Sequence, residues 1–449
     1  MIRSVALVQH IGLVLMPLVG LAVQAAADDS PGIVLPADRP MSGIVGTAFG
    51  PQPDPCYSEA CQPLPARGPD PERWSASAEY LLWRFKPGPI AVPLVTSTTV
   101  QNPDIFTNTG VLGQPDTVVL APNSSLHFGT ANGLRLGFGY GCNCDNSVRV
   151  EVLGLIFERR SDGQVFSSDD AGNPVLSIPF FRVNEGRTNG ESRFIVAFPN
   201  DFAGQIAYSG NSQLWGAELN VAFGCLNCGE ACNGGKLELI VGGRFLDLKE
   251  NFNFGSRSTT IGDQFITTFG FEEVSGIGVT VGHQDSLECQ NSFLGPQIGV
   301  RGEYNFGKFF VNGSLKVALG VTQQTIEVNG YSFLIREPGA AVETLPGGFF
   351  SSPTNIGRHF EDKFSVVPEL GANVGFQLTD CARVSVGYTF LFWTNVARAG
   401  NQLDRNLNTG GLPLAEFYGD PLVPARPGVP FHQSNFWAQG VNFSLEVKF

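Results

Sequence analysis

Little of this chain is charged and very little of it is histidine. Asp, Glu, Lys and Arg make up 15% of the 449 residues, and there are five histidines and three methionines. Acidic residues outnumber basic ones 41 to 28, a net charge of −13, so the basic surface that phosphate backbones require is missing and nucleic acid is excluded as a partner. Beyond the first 27 residues no stretch approaches the ~18 to 20 apolar residues a spanning helix needs. If the chain lives in a bilayer it must do so as a closed barrel, the other structure that satisfies every backbone group in lipid. There is no GxSxG and no HExxH. His127, His283, His359 and His432 fall in loops or at their edges, outside any nucleophile motif. The GFGYG at 137–141 has strand parity and no helix after it, so it is not a phosphate loop. These absences predict no catalytic site, no cofactor and no metal centre. The turn holding Asp169, Asp170 and Asn173 could hold a cation, but Asx-rich turns usually serve to bend the chain.

What the chain has instead is alternation. Its last fourteen residues, FWAQGVNFSLEVKF, put Trp437, Val441, Phe443, Leu445, Val447 and Phe449 on one face, and Asn442, Ser444, Glu446 and Lys448 on the other. Successive strand side chains point to opposite faces, so this is a two-faced strand. A membrane barrel turns the apolar face to lipid and the polar one to the lumen. A soluble sandwich or barrel shares the alternation.

The same pattern opens at Trp74 and recurs in four hairpins: 134–140 with 148–156, 215–223 with 236–245, 294–304 with 309–319, and 364–376 with 384–392. With the opening and closing strands this makes ten, and a further hairpin around Ser192–Tyr208 or Gln264–Gly282 would make twelve. The connections sort by length. Turns within hairpins are short, whereas the segments between hairpins, 86–132, 158–212, 249–292, 321–361 and 395–435, are long. Soluble sandwiches have no reason to sort loops this way; outer-membrane barrels do, short turns towards the periplasm and long loops outside. The expectation is all-β: one transmembrane antiparallel up-and-down barrel of 10–12 strands over 74–449, with strands extended above the membrane.

Residues 1–27 have the layout of a secretory signal peptide, with Arg3, an apolar stretch from Ile11 to Val23, and Ala25 to Ala27 before Asp28. Residues 28–73 carry ten prolines in 46 positions and read as an extended periplasmic leader. The expected location is the outer membrane of a diderm bacterium. Outer-membrane lipid is the expected partner, together with the barrel-assembly machinery acting on the closing strand.

Parity sends thirteen charged side chains into the lumen. From the first five strands come Glu79, Arg135, Arg149, Glu151, Glu218, Glu238 and Arg244. The remaining strands supply Arg301, Glu303, Lys316, Glu369, Arg383 and Glu446. In a wide pore these would tune ion passage; in a narrow barrel they would pair across the lumen, since ~8 strands leave a filled interior and aqueous channels appear near ~16.

Nine cysteines are an odd number, leaving at least one without an intrachain partner. Cys56 and Cys61 lie in the leader, and Cys142, Cys144, Cys225, Cys228, Cys232 and Cys381 in or beside the short turns. The spacing of Cys225, Cys228 and Cys232 is zinc-like, but the redox setting of an exported chain favours disulfides. Cys289 is the candidate for the unpaired thiol.

Five segments carry a family resemblance: SAEYLLWRFKPGPIAVPLVTS at 77–97, GLRLGFGYG at 133–141, FLGPQIGVRGEY at 293–304, RVSVGYTFLFWTNVARAGNQLDRNLN at 383–408, and the closing strand. In these the chain from Trp74 onward resembles the bacterial family called putative beta-barrel porin, family seven. The resemblance implies an outer-membrane barrel and supplies no catalytic or ligand residues. The function it points to is a porin-like passive channel for small solutes or ions. The alternative is a non-conducting structural or surface-interaction barrel acting through its long loops.

Overall fold

The computed structural model describes residues 73–449 apart from 101–102, 104–107, 122–124, 144–146, 231–232 and 263–265. The signal peptide, nearly all of the proline-rich leader, and Cys56, Cys61, Cys144 and Cys232 therefore lie outside the described residues.

Among these residues ten strands close a ring. They are β1 (Trp74–Phe85), β2 (Thr130–Gly141), β3 (Val148–Phe157), β4 (Phe202–Glu230), β5 (Asn233–Thr260), β6 (Thr280–Phe306), β7 (Phe309–Ile335), β8 (Gly357–Gln377), β9 (Ala382–Ala397) and β10 (Gln433–Lys448). Each is antiparallel to the next, and β10 returns to β1 with Ser75 opposite Lys448 and Phe85 opposite Ala438. Closure removes the sheet edge, so each ring strand has a hydrogen-bonded neighbour on both sides, as lipid demands.

The closing strand shows why the sequence settles here. Val441, Phe443, Leu445 and Phe449 are exposed on the outer wall, Trp437 and Val447 are half-buried on it, and Asn442 is buried inside. On β6 the outward residues from Leu294 through Ile298 and Val300 to Phe306 are exposed and apolar, and on β7 so are those from Phe309 to Val321. Thirteen residues tilted at about 40° rise roughly 30 Å, close to the apolar band of outer-membrane barrels.

The strands run far beyond that band. β4 to β7 are 27 to 29 residues long, against the ~9 to 11 needed to cross a bilayer, so roughly half of each stands above the membrane on the side of the long connections. The ring itself stays at ten. Gly190–Ala197 pairs with Leu176–Arg182 in a separate sheet, Phe202–Tyr208 is the upper part of β4, and Ile266–Phe269 with Glu272–Ser275 is a small hairpin outside the ring. The extra hairpin fails because the residues that suggested it belong to the extracellular half, where apolar side chains pack on protein and not on lipid.

The long connections fold into the top of the barrel. Leu176, Ile178, Phe180, Phe349, Phe350, Leu403, Leu407 and Leu412 share one core with the inward residues Ile206, Tyr208, Phe252, Phe254, Leu287 and Ile326 of the strand extensions.

Candidate functional site

The lumen is layered. All thirteen charged side chains assigned by parity stand on the inner wall, each in at least one ion pair with another of the set. Some pairs face each other across neighbouring strands, as register dictates: Glu79 with Arg135, Glu218 with Arg244, Glu238 with Arg301, Lys316 with Glu369, and Arg383 with Glu446.

Others join strands three apart. Arg244 Nη2 on β5 lies 2.9 Å from Glu369 Oε2 on β8, Lys316 Nζ on β7 lies 3.0 Å from Glu218 Oε2 on β4, Arg301 Nη2 on β6 lies 2.8 Å from Glu151 Oε2 on β3, and Arg383 Nη1 on β9 lies 2.9 Å from Glu303 Oε2 on β6. Such contacts require a narrow lumen. Arg244 has a fully buried side chain, and Glu218 and Glu369 are nearly so. Stripping water from these ions is expensive, and their mutual hydrogen bonds, with Gln297 and Asn220 alongside, are what compensate it.

Above the ions lies a layer that parity alone conceals. Leu81, Trp83 and Phe85 point inward from β1, Leu155 and Phe157 from β3, Leu246 and Leu248 from β5, Phe293 from β6, Leu391 and Trp393 from β9, and Phe436 and Ala438 from β10. All are buried and form one apolar cluster across the barrel. Trp83 Nε1 donates down to Asn442 Oδ1 at 2.7 Å, and Trp393 Nε1 donates to Thr322 Oγ1 at 2.9 Å. The sequence signal is a change of inward positions from ionic to apolar on several strands, Glu79 then Leu81 and Trp83, or Glu151 then Leu155 and Phe157.

A second polar layer caps this septum. Arg398, just after β9, is fully buried and lies 2.7 Å from Glu250 of β5, while Asn291 of β6 bonds both the N–H and the carbonyl of Ala397 at 2.8 Å. These contacts pin the root of the 398–432 connection inside the barrel. Higher still, Asp285 accepts the N–H groups of Phe349, Phe350 and Ser351 together with the Ser351 hydroxyl, which holds the 347–352 loop in the lumen. Gly348 has to lack a side chain, because a Cβ there would strike the Asp285 carboxylate.

His283 and His359 lie in strand extensions and not in loops. His283 Nδ1 is 3.0 Å from Ser332 Oγ, but the pair is buried beneath Phe194 and Phe349 and Ser332 is occupied by the Gly347 carbonyl. Asp169 closes a local turn by accepting from Ala171 and Asn173, and among the described residues no three metal-ligating side chains converge. Cys142, Cys225 and Cys381 are free and exposed at the short-turn end, Cys289 is free and buried in the extracellular half, and Cys228 ends β4 with its side chain outside the described set. The thirteen charges assigned by parity leave out Lys236, Glu250 and Arg398, and also Lys448, which the polar face of the closing strand carries.

Among the lower ion pairs the lumen opens at the short-turn end as a cup of about 240 Å³ floored by Lys316 and Glu369.

The family described as putative beta barrel porin-7 matches residues 74–449. No curated protein matches the chain. Among solved structures, the outer membrane protease OmpT of Escherichia coli aligns at 11% identity over 84% of this chain and 97% of that one, with a TM-score of 0.35. The toluene transporter TodX of P. putida aligns at 8% identity over 84% and 91%, with a TM-score of 0.20. A Pseudomonas aeruginosa FadL homologue aligns at 8% identity over 84% and 90%, with a TM-score of 0.22.

Proposed function

The chain belongs to the putative beta barrel porin-7 family, and from that premise we propose that it is an outer-membrane barrel whose lumen is shut at rest and whose work is done at its extracellular face. The observation that carries this reading is the septum of buried Leu, Trp and Phe between two polar layers. An apolar constriction excludes water and ions even where polar groups line either side of it. The long connections, folded into a solid extracellular half, supply the contact surface. We further propose that Val441, Phe443, Leu445 and Phe449, on the outer wall of β10, meet outer-membrane lipid and present the strand, with Trp437 and Val447, to the assembly machinery. Non-catalytic action fits the burial of the Ser332 and His283 pair, which is sealed from substrate.

A porin-like passive channel is the second reading, favoured by the family's description and by the cup at the periplasmic mouth. Planar-bilayer recording separates the two. The closed reading expects no step currents from the purified protein under conditions where a known porin conducts; ohmic steps of porin size would reverse the order.

A further inference from the structure

The two ionic layers of the lumen differ in balance. Around the floor, Arg135, Arg244 and Lys316 meet Glu79, Glu218 and Glu369, three against three. At the mouth, Arg149, Lys236, Arg301 and Arg383 meet Glu151, Glu238, Glu303 and Glu446, four against four. Lys448 makes a fifth cation there, lining the cup with an ammonium that makes no hydrogen bond or ion pair among the described residues. The main-chain groups of Phe449 beside it are engaged with Trp74 in the strand ladder, at 2.8 and 2.9 Å. In a chain of net charge −13, the open end of the lumen thus holds an ammonium that no side-chain carboxylate among the described residues pairs.

The space in front of Lys448 is kept clear by small residues. Register sets Lys448 opposite Ser75, Ser75 opposite Gly139, and Ser77 opposite Gly137. A Cβ on Gly139 would strike Ser75 Oγ and lie 3.4 Å from Arg149 Cδ, so the hollow depends on having no side chain there. Ser75, Ser77 and Ser444 line it with hydroxyls that have no side-chain hydrogen-bond partner among the described residues. Free donors of Lys448, Ser75 and Ser77 therefore share one end of the wall, where Glu446 stands opposite Ser77. At about 240 Å³ it falls below the ~300 to 1,000 Å³ of pockets for drug-sized molecules.

We propose that this cup binds a small oxyanion of phosphate size, held by Lys448 and by the hydroxyls of Ser75 and Ser77. Charge-assisted hydrogen bonds from an ammonium and hydroxyls suit such an ion, and the paired arginines and glutamates around it fix the wall without competing for it. A lysine that was merely solvated at the rim would need neither the hollow nor the unpaired hydroxyls.

Equilibrium dialysis of radiolabelled inorganic phosphate against the full chain, folded in zwitterionic detergent, tests this. The expected result is one saturable site, weakened about tenfold or more in Lys448→Gln and unchanged in Lys308→Gln, whose lysine sits in the β6–β7 turn outside the cup. Ser77→Val, which keeps the charge, weakens binding by a smaller factor. Displacement by short-chain phosphatidylglycerol assigns the site to a lipid headgroup and its failure to the free ion; either outcome requires the site. Absence of saturable binding by the folded wild type, or equal binding by wild type and Lys448→Gln, overturns the proposal. Heat-modifiable gel mobility confirms that each variant is folded.

Discussion

Glu218 accepts from Arg244, Lys316 and Gln297 in a setting almost without water. Replacing it with Ala leaves two cations sharing Glu369 alone, and breaking a buried ionic cluster in this way costs about 3–5 kcal/mol. The expected outcome is a lower urea midpoint for Glu218→Ala, measured by heat-modifiable mobility, whereas Glu327→Ala, which breaks a pair with the exposed Arg358, changes it by less than about 1 kcal/mol. In the extracellular half two buried groups oppose each other. Burial pushes His283 down to about 3 from its ordinary 6.5, so it contributes stability that is present above pH 6.5 and lost as pH falls towards 3. Burial pushes Asp285 up to about 6 from 3.8, against the pull of its Ser351, Phe349 and Phe350 hydrogen bonds. Its contribution is full below pH 3.8 and lost as pH rises through 6. Between pH 7 and 5 the two nearly cancel, about 2 kcal/mol lost to His283 against about 1.4 gained from Asp285. His283→Gln should therefore make the 336–356 connection more resistant to proteolysis at pH 5 than at pH 7, and Asp285→Asn less resistant, while the wild type changes little.

At the scale of the strand, each spanning element has two solvents. β10 turns Phe443 and Leu445 to the outer wall and Asn442 to the lumen, so with the outer wall in lipid, as proposed, a charge there meets hydrocarbon. Phe443→Arg places a guanidinium in the spanning band and should destabilise the barrel by roughly 2–4 kcal/mol, less if the side chain reaches the interface. Ser444→Arg, one residue along and facing the cup, should be milder. Folding yield into lipid vesicles reads both. The same strand carries Phe436 and Ala438 inward at its upper end, where the neighbouring medium is the septum, and so its apolar parity inverts within one element.

For the whole molecule the question is whether anything passes. The septum depends on its largest members, Trp83 and Trp393, which close the lumen from β1 and β9. The double variant Trp83→Ala and Trp393→Ala removes two indoles from a layer with the open cup beneath it. Truncating a buried aromatic costs about 3–5 kcal/mol, so the variant should be less stable but, held by ten paired strands, still a barrel. The expected readout is the appearance of small step currents in planar bilayers where the wild type gives none. A silent double variant that is folded would place the seal higher, at the Arg398 and Asn291 layer or in the extracellular core.

The sequence by itself determined the barrel: alternation in 74–85, 134–156 and 436–449, together with loops sorted by length, admits few other ways of satisfying backbone groups and apolar faces at once. It also determined which charges face inward, because strand parity is a property of the chain alone. The tertiary structure decided which of those charges meet and what lies above them. Arg244 reaches Glu369, and Trp83 meets Phe157, only because ten strands close into so small a ring, and neither ring size nor the stagger between distant strands is written in any local stretch. The fate of the long connections was likewise beyond local reading: Leu176, Phe349 and Leu407 have no periodicity that distinguishes a loop on the surface from one packed inside the barrel mouth, since that choice depends on the apolar area offered by strands far away in sequence.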